Sequence, residues 1–204
     1  MQAIVSSIFM GTIVEDPRLR NRVAVFRDRG EAGECLAAFL QARNLTPDPV
    51  VCSIPAGGIP VGVAIALSLE APLVLSIVLK VQIPMNPEAG FGAVTWDDSV
   101  LLNQDLVQRL GLTEQEIQTA VDFARENVRA RENAFPRHQP SPNLSGHTVI
   151  LTDDGLASGY TMRAAAETIR RQTSTRILVA VPTGSLSAVR MVAEEVDEVI
   201  CLNV

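Results

Sequence analysis

A chain of 204 residues, 47% apolar and 20% charged, has the material for one soluble globular domain with a sizeable core. Its formal net charge of −6, without a basic stripe, argues against a nucleic-acid partner, because binding along a phosphate backbone needs clustered cations. Cys35, Cys52 and Cys201 lie far apart in apolar stretches, which excludes a disulfide framework or a C-x-x-C zinc site and fits buried thiols in a reducing, cytoplasmic setting.

Residues 1–24 read as an N-terminal extension. Met1 to Val14 lacks a basic leader region, so it is expected to be an extra strand, a dimer contact or a frayed end rather than a signal peptide. Glu31 to Arg43 reads as a helix with Ala32, Leu36, Phe39 and Leu40 on one face, ended by the proline-containing run 44–49. Val50 to Ile54 is a short buried strand, Ile59 to Leu69 an apolar helix, and Leu73 to Leu79 a second buried strand. The stretch Ile59 to Leu79 is long enough to span a bilayer, but Glu70 and Pro72 interrupt it, so no membrane partner is expected. Gln82 to Gly92, with two prolines and two glycines, reads as a long loop, and Ala93 to Asn103 as a hairpin turning at Asp97-Asp98. Thr113 to Asn133 is a charged helix that opens with a capping box, Thr113 to Glu116. A proline-rich connector, 135–143, follows. Strand Thr148 to Leu151, helix Thr161 to Arg171, strand Ile177 to Val181, helix Ser185 to Glu194 and strand Glu198 to Leu202 then close the chain. His138 and His147 stand isolated. The alternation implies a single α/β domain over 1–204, a doubly wound parallel sheet, with residues 81–143 inserted as a loop, hairpin and helical segment. Ligands in such sheets bind outside the carboxyl ends of the strands.

One of those ends carries the densest chemistry. In the run Val149-Ile150-Leu151-Thr152-Asp153-Asp154-Gly155-Leu156-Ala157-Ser158-Gly159-Tyr160-Thr161, an apolar strand ends in two carboxylates and a small-residue loop opens a helix. Carboxylates accept hydrogen bonds from vicinal hydroxyls and attract magnesium. Gly155 and Gly159 permit close backbone approach. The amides of Ala157, Ser158, Gly159, Tyr160 and Thr161, at a helix start, form a cup for phosphate, to which the Ser158 and Thr161 hydroxyls add donors. An ordinary βα turn with an Asp cap is the plain alternative. A second strand-to-helix turn, Ser53 to Pro60, presents the amides of Pro55-Ala56-Gly57-Gly58 as a pyrophosphate cradle or simply as a tight connection.

The long acidic run resembles the 5-phosphoribosyl-1-pyrophosphate (PRPP) motif of type I phosphoribosyltransferases, and the resemblance extends from about Val25 to Leu202, nearest to the branch of predicted phosphoribosyltransferases. It implies that Asp153 and Asp154 hold the ribose hydroxyls and meet magnesium (Mg2+) indirectly or through the substrate. It implies that Gly155 and Ala157 to Thr161 hold the 5-phosphate, and that Pro55 to Gly58 form the pyrophosphate loop. Relatives read Pro-Arg-Gly-Gly in that loop, and here Ala56 replaces the arginine. Lys80, a plain solvated lysine by composition, takes the place of a basic residue at the stem of a lid, and Asn86-Pro87-Glu88 and Phe91-Gly92-Ala93 match the same branch. Phe26 to Gly33 matches too. Its arginines are expected to pair with Asp28 at the surface or to reach a neighbouring subunit. Pro182 to Ser185 either edges the acceptor pocket or is a helix cap at Ser185.

The resemblance implies transfer of a phosphoribosyl group from PRPP to a small nitrogenous acceptor with release of pyrophosphate, by a magnesium-dependent homodimer. Ala157 stands where 6-oxopurine enzymes carry an aspartate, which argues against hypoxanthine or guanine, and close relatives look longer, with an aromatic C-terminal tail not present in this sequence, so the acceptor stays open. Phe91, Trp96 and Tyr160 are the candidate stacking surfaces. The competing readings are a PRPP- or nucleotide-sensing module without catalysis, which Ala56 favours, and a metal-assisted phosphoesterase, which needs further ligands.

Overall fold

The computed structural model describes residues 10–43, 48–134, 144–172 and 176–204. The proline-rich connector and His138 lie outside them, as does most of the expected 44–49 turn. The first element is a short edge strand, β1 (Thr12–Val14), so the extra-strand expectation holds for those residues. Helix α1 (Arg29–Ala42) starts at Asp28, whose side chain accepts from the Glu31 amide at 2.9 Å. Strand β2 (Pro49–Ser53) leads into α2 (Gly58–Leu69) and β3 (Leu73–Leu75).

Next come β4 (Val78–Ile83), β5 (Asn86–Thr95), β6 (Val100–Leu102), α3 (Gln104–Leu110) and α4 (Glu114–Ala134). The last third alternates β7 (Thr148–Thr152), α5 (Tyr160–Gln172), β8 (Ile177–Thr183), α6 (Leu186–Ala193) and β9 (Glu198–Asn203).

Six strands form one sheet in the order β1-β9-β8-β7-β2-β3, and every pair in it is parallel. Alternate residues of each central strand enter different cores, which explains the unbroken apolar runs. Val50, Cys52, Val149, Leu151, Val179 and Val181 pack on the side of α5 and α6. Val51, Ile150, Leu178 and Ala180 pack against α1 and α2. Burying one such side chain contributes roughly 1.5–3 kcal/mol. The sheet is doubly wound. From β2 the chain moves outward to β3, and from β7 it moves the opposite way to β8 and β9. The strand order therefore reverses between β2 and β7, where doubly wound sheets open a ligand crevice.

The inserted segment departs from the sequence reading. Leu73 to Leu79 is not one strand: β3 ends at Leu75 in the large sheet, and β4 leaves for a second, antiparallel sheet, β4-β5-β6. Apolar continuity carries no mark of that change of sheet. The expected loop Gln82 to Gly92 is mostly a hairpin of β4 and β5, turning where Met85 takes φ 65°. Its glycines read as loop residues but serve close backbone approach. A Cβ on Gly92 would lie 2.5 Å from the Leu101 carbonyl oxygen. The register shifts between Val81 and Ile83 mark a bulged, irregular ladder. The β5–β6 hairpin turns at Asp97-Asp98 as expected.

Helix α3 is an addition, capped by Asn103 and stopped by Gly111 at φ 63°. The α4 capping box forms: the Glu116 carboxylate accepts from the Thr113 amide at 2.8 Å, and Thr113 Oγ1 accepts from the Glu116 amide. Val121, Ala124 and Val128 of α4 join Phe91, Val94 and Trp96 of the small sheet in the core, so this hood is fixed to the domain.

Cys52 and Cys201 are buried, and burial pushes both thiols up to about 12. Cys35, against expectation, is exposed, on the outer side of α1. His147 has a neighbour after all, with Nδ1 3.1 Å from the Asp48 carboxylate. No helix among the described residues is long and apolar enough to cross a membrane.

Candidate functional site

The parallel pairing of Ser53 with Thr152 sets the two loops side by side at the reversal point. The Ile54 amide donates to the Thr152 carbonyl at 2.9 Å and extends that contact into the loop. Beyond it, a Cβ on Gly57 would lie 2.4 Å from Asp154 Oδ2, and one on Gly58 would lie 2.9 Å from Asp153 Cα. Glycine at 57 and 58 is therefore a condition for the acidic pair to sit where it does. The Pro55–Ala56 peptide is cis. The Gly58 amide closes the turn on the Ile54 carbonyl at 3.0 Å, whereas the amides of Ala56 and Gly57 donate to no backbone carbonyl among the described residues.

Asp153 is half-buried, and its carboxyl is raised to about 7. Burial is the main cause. The neighbouring Asp154 charge adds to it, while the Asp154 amide, which donates to Asp153 Oδ1 at 2.8 Å, and Arg29 oppose it. Asp154 is paired. Arg29 Nε donates to Asp154 Oδ2 at 2.7 Å across 125 positions of sequence.

The expected pairing of the Phe26–Gly33 arginines with Asp28 is replaced by other partners within the chain. Asp28 caps α1, Arg27 pairs with Glu31, and Arg29 reaches the acidic pair. Gly33 makes the reach possible. A Cβ there would lie 2.9 Å from Val61 Cα and from Ala64 Cβ, so α1 and α2 cross closely and the N-terminus of α1 stands over the loop that opens α2. The Arg27-Asp28-Arg29-Gly30 run was the sequence signal for Arg29, but its partner was not legible.

On the other side of the acidic pair, the small-residue loop is anchored from below. Leu156 is buried, its amide donates to the Thr183 carbonyl at 2.9 Å, and its carbonyl accepts from the Ser185 amide at 2.9 Å. Ser185 Oγ donates to the Ala157 carbonyl at 3.0 Å and caps α6. Residues 182–185 thus support the loop. Gly159, at φ 78°, turns the chain into α5. Among the described residues, the amides of Ala157, Ser158 and Gly159 donate to no backbone carbonyl. The first amides of α5 lack partners within the helix, as at any helix start. Ala157, Ser158 and Tyr160 are exposed.

Lys80 meets this cup. It lines a cavity of about 630 Å3 together with Gly90 and Gly92 of the hood and Ser158, Tyr160 and Thr161 at the start of α5. Asp153, Asp154, Gly57 and Gly58 form a second cluster outside that lining. Of the three candidate stacking surfaces, Phe91 is fully buried and Trp96 is buried in the hood core, so only Tyr160 stays exposed.

No group of three or more His, Cys, Asp or Glu among the described residues could hold a metal ion. Two carboxylates, one already paired with Arg29, suit a magnesium ion that arrives with phosphate oxygens and keeps part of its water shell, rather than a resident metal.

The family model described as "Phosphoribosyl transferase domain" matches residues 96–203, which include β7, the acidic pair and the cup. A Mycobacterium tuberculosis protein named "Putative phosphoribosyl transferase" is 35% identical over 178 residues, 87% of this chain. The chain spans 40% of that relative's length. The crystal structure of TT1426 from Thermus thermophilus is 33% identical, with a TM-score of 0.73 over 88% of this chain and 84% of that one. Adenine phosphoribosyl transferase from Trypanosoma brucei, solved with AMP, pyrophosphate and ribose-5-phosphate, shares the fold at 16% identity and a TM-score of 0.51, over 93% of this chain and 74% of that one.

Proposed function

The chain belongs to the phosphoribosyl transferase family, and from that premise we propose that it moves a 5-phosphoribosyl group from PRPP to a small nitrogenous acceptor and releases pyrophosphate. The observation that carries the reading is the contact of the glycine loop with the acidic pair at the reversal point, beside an amide cup at a helix start. In this reading the 5-phosphate rests on the amides of Ala157 to Thr161. The ribose hydroxyls donate to Asp153 and Asp154. The amides of Ala56 and Gly57, which donate to no backbone carbonyl among the described residues, receive the pyrophosphate. Magnesium, when bound, neutralises charge on the phosphate oxygens.

As the bond from ribose C1 to pyrophosphate oxygen breaks, its electron pair leaves with the pyrophosphate, and the acceptor nitrogen forms the new bond to C1. The residues position and neutralise, and the hood limits water at the cationic ribose. Lys80, on the hood side of the cup, adds positive charge. Tyr160 offers the acceptor an exposed aromatic face. The family resemblance implies that the working form is a homodimer.

The test is pyrophosphate release from PRPP with magnesium across a panel of nitrogenous bases. Release with one base supports the transferase. Tight PRPP binding with release from none supports the second reading, a sensing module, which Ala56 favours.

A further inference from the structure

We infer that Arg29 is the cation of the pyrophosphate site: it pairs with Asp154 in this structure and turns to the pyrophosphate when PRPP enters. The inference rests on the reading above and assigns a residue outside both loops. A pyrophosphate set between two aspartates and a loop of Pro-Ala-Gly-Gly meets negative charge on one side and amides on the other. It needs a cation with directional donors.

Arg29 is placed for that role. The oxygen that receives its Nε, Asp154 Oδ2, is the atom that a Cβ on Gly57 would strike at 2.4 Å, so the guanidinium and the loop flank one carboxylate oxygen. Only Nε has a hydrogen bond among the described residues. The two terminal nitrogens are left as a fork that matches a phosphoryl oxygen pair. The Arg29 side chain is 60% exposed, so its pair with Asp154 is cheap to exchange. Its backbone is held by the Asp28 cap and the close α1–α2 crossing at Gly33, which fixes the reach of the side chain. Release of Asp154 then coincides with arrival of the ribose hydroxyls it accepts from, so one exchange prepares both halves of the site.

Calorimetry with magnesium on the full chain tests this, using PRPP, pyrophosphate and ribose 5-phosphate against wild type, Arg29→Ala and Arg29→Lys. Loss of a charge-assisted contact predicts that Arg29→Ala weakens PRPP and pyrophosphate about 10- to 100-fold. Ribose 5-phosphate, which lacks the pyrophosphate, binds as tightly or more tightly because Asp154 is freed. Arg29→Lys, which keeps the charge and loses the fork, falls between. Equal weakening of all three ligands marks Arg29 as a structural tie and overturns the inference, as does unchanged PRPP affinity in Arg29→Ala. Wild type that binds neither PRPP nor ribose 5-phosphate contradicts the underlying reading, and this inference with it.

Discussion

The large sheet and the hood solve the same problem in opposite ways. In the sheet, every pair of strands is parallel, the central strands are buried on both faces, and the loops at the carboxyl ends carry the candidate ligand groups. In the hood, three antiparallel strands bury one apolar face against α4 and α5, and the ladder is irregular where glycines let backbones touch. The sheet fixes where the loops of the candidate site stand. The hood, through Lys80, Gly90 and Gly92, shapes the cavity above the cup. Positioning and cover are thus divided between two sheets of one domain, and substitutions should separate them.

The largest effect is expected at the sheet end. Asp154→Ala removes a hydroxyl acceptor and should lower turnover about 100- to 1,000-fold, since a well-placed group in a water-poor site has that value. Initial rates and PRPP titration measure it, and a change under threefold would erase the division. A pH series on Asp153→Asn comes next. The Asp153 carboxyl ordinarily titrates at 3.8 and is held at about 7 in the fold. The native state therefore keeps its proton longer than the unfolded chain. This favours folding fully below about pH 4 and is lost as pH rises through 7.

Asp153→Asn should match wild-type stability near pH 4 and exceed it near pH 8 by on the order of 2–4 kcal/mol. Denaturant midpoints at the two pH values decide it; equal differences at both would show that the raised carboxyl is not the cause. The same titration predicts that ribose 5-phosphate binds more tightly as pH rises through 7, since the ionised carboxylate is the better acceptor.

The hood variants should be milder. Lys80→Ala is expected to lower turnover about 10-fold with ribose 5-phosphate affinity unchanged, because one exposed cation contributes less than a half-buried acceptor. Loss of sugar binding in that variant would move Lys80 from the cover to the grip. Smallest is Thr113→Ala, which breaks the capping box of α4 beneath the hood and should cost about 1 kcal/mol in thermal or denaturant unfolding without touching catalysis.

What the sequence made legible follows the same division. Buried parallel strands announce themselves as Val/Ile/Leu runs, and the acidic run after β7 is continuous in sequence, so fold class and most candidate site residues could be read directly. Residue pairing across distance could not. Arg29 and Asp154 are brought together by a helix crossing that depends on Gly33, and no local pattern records it. The hood strands were masked for a different reason. Gly90, Gly92 and Pro84 carry the signature of a loop, yet here they permit close strand contact and a tight turn. Phe91 looked like a stacking surface because a lone aromatic in an apparent loop is expected to be exposed, and the ladder buries it instead.

Crystals grown with ribose 5-phosphate and magnesium give the most direct trial of the central claim. Phosphate density against the amides of residues 157–161, with ring hydroxyls on the carboxylates of Asp153 and Asp154, is the predicted result. A fully bound sugar phosphate lodged under the hood or elsewhere, with the bend after β7 bare, would contradict it.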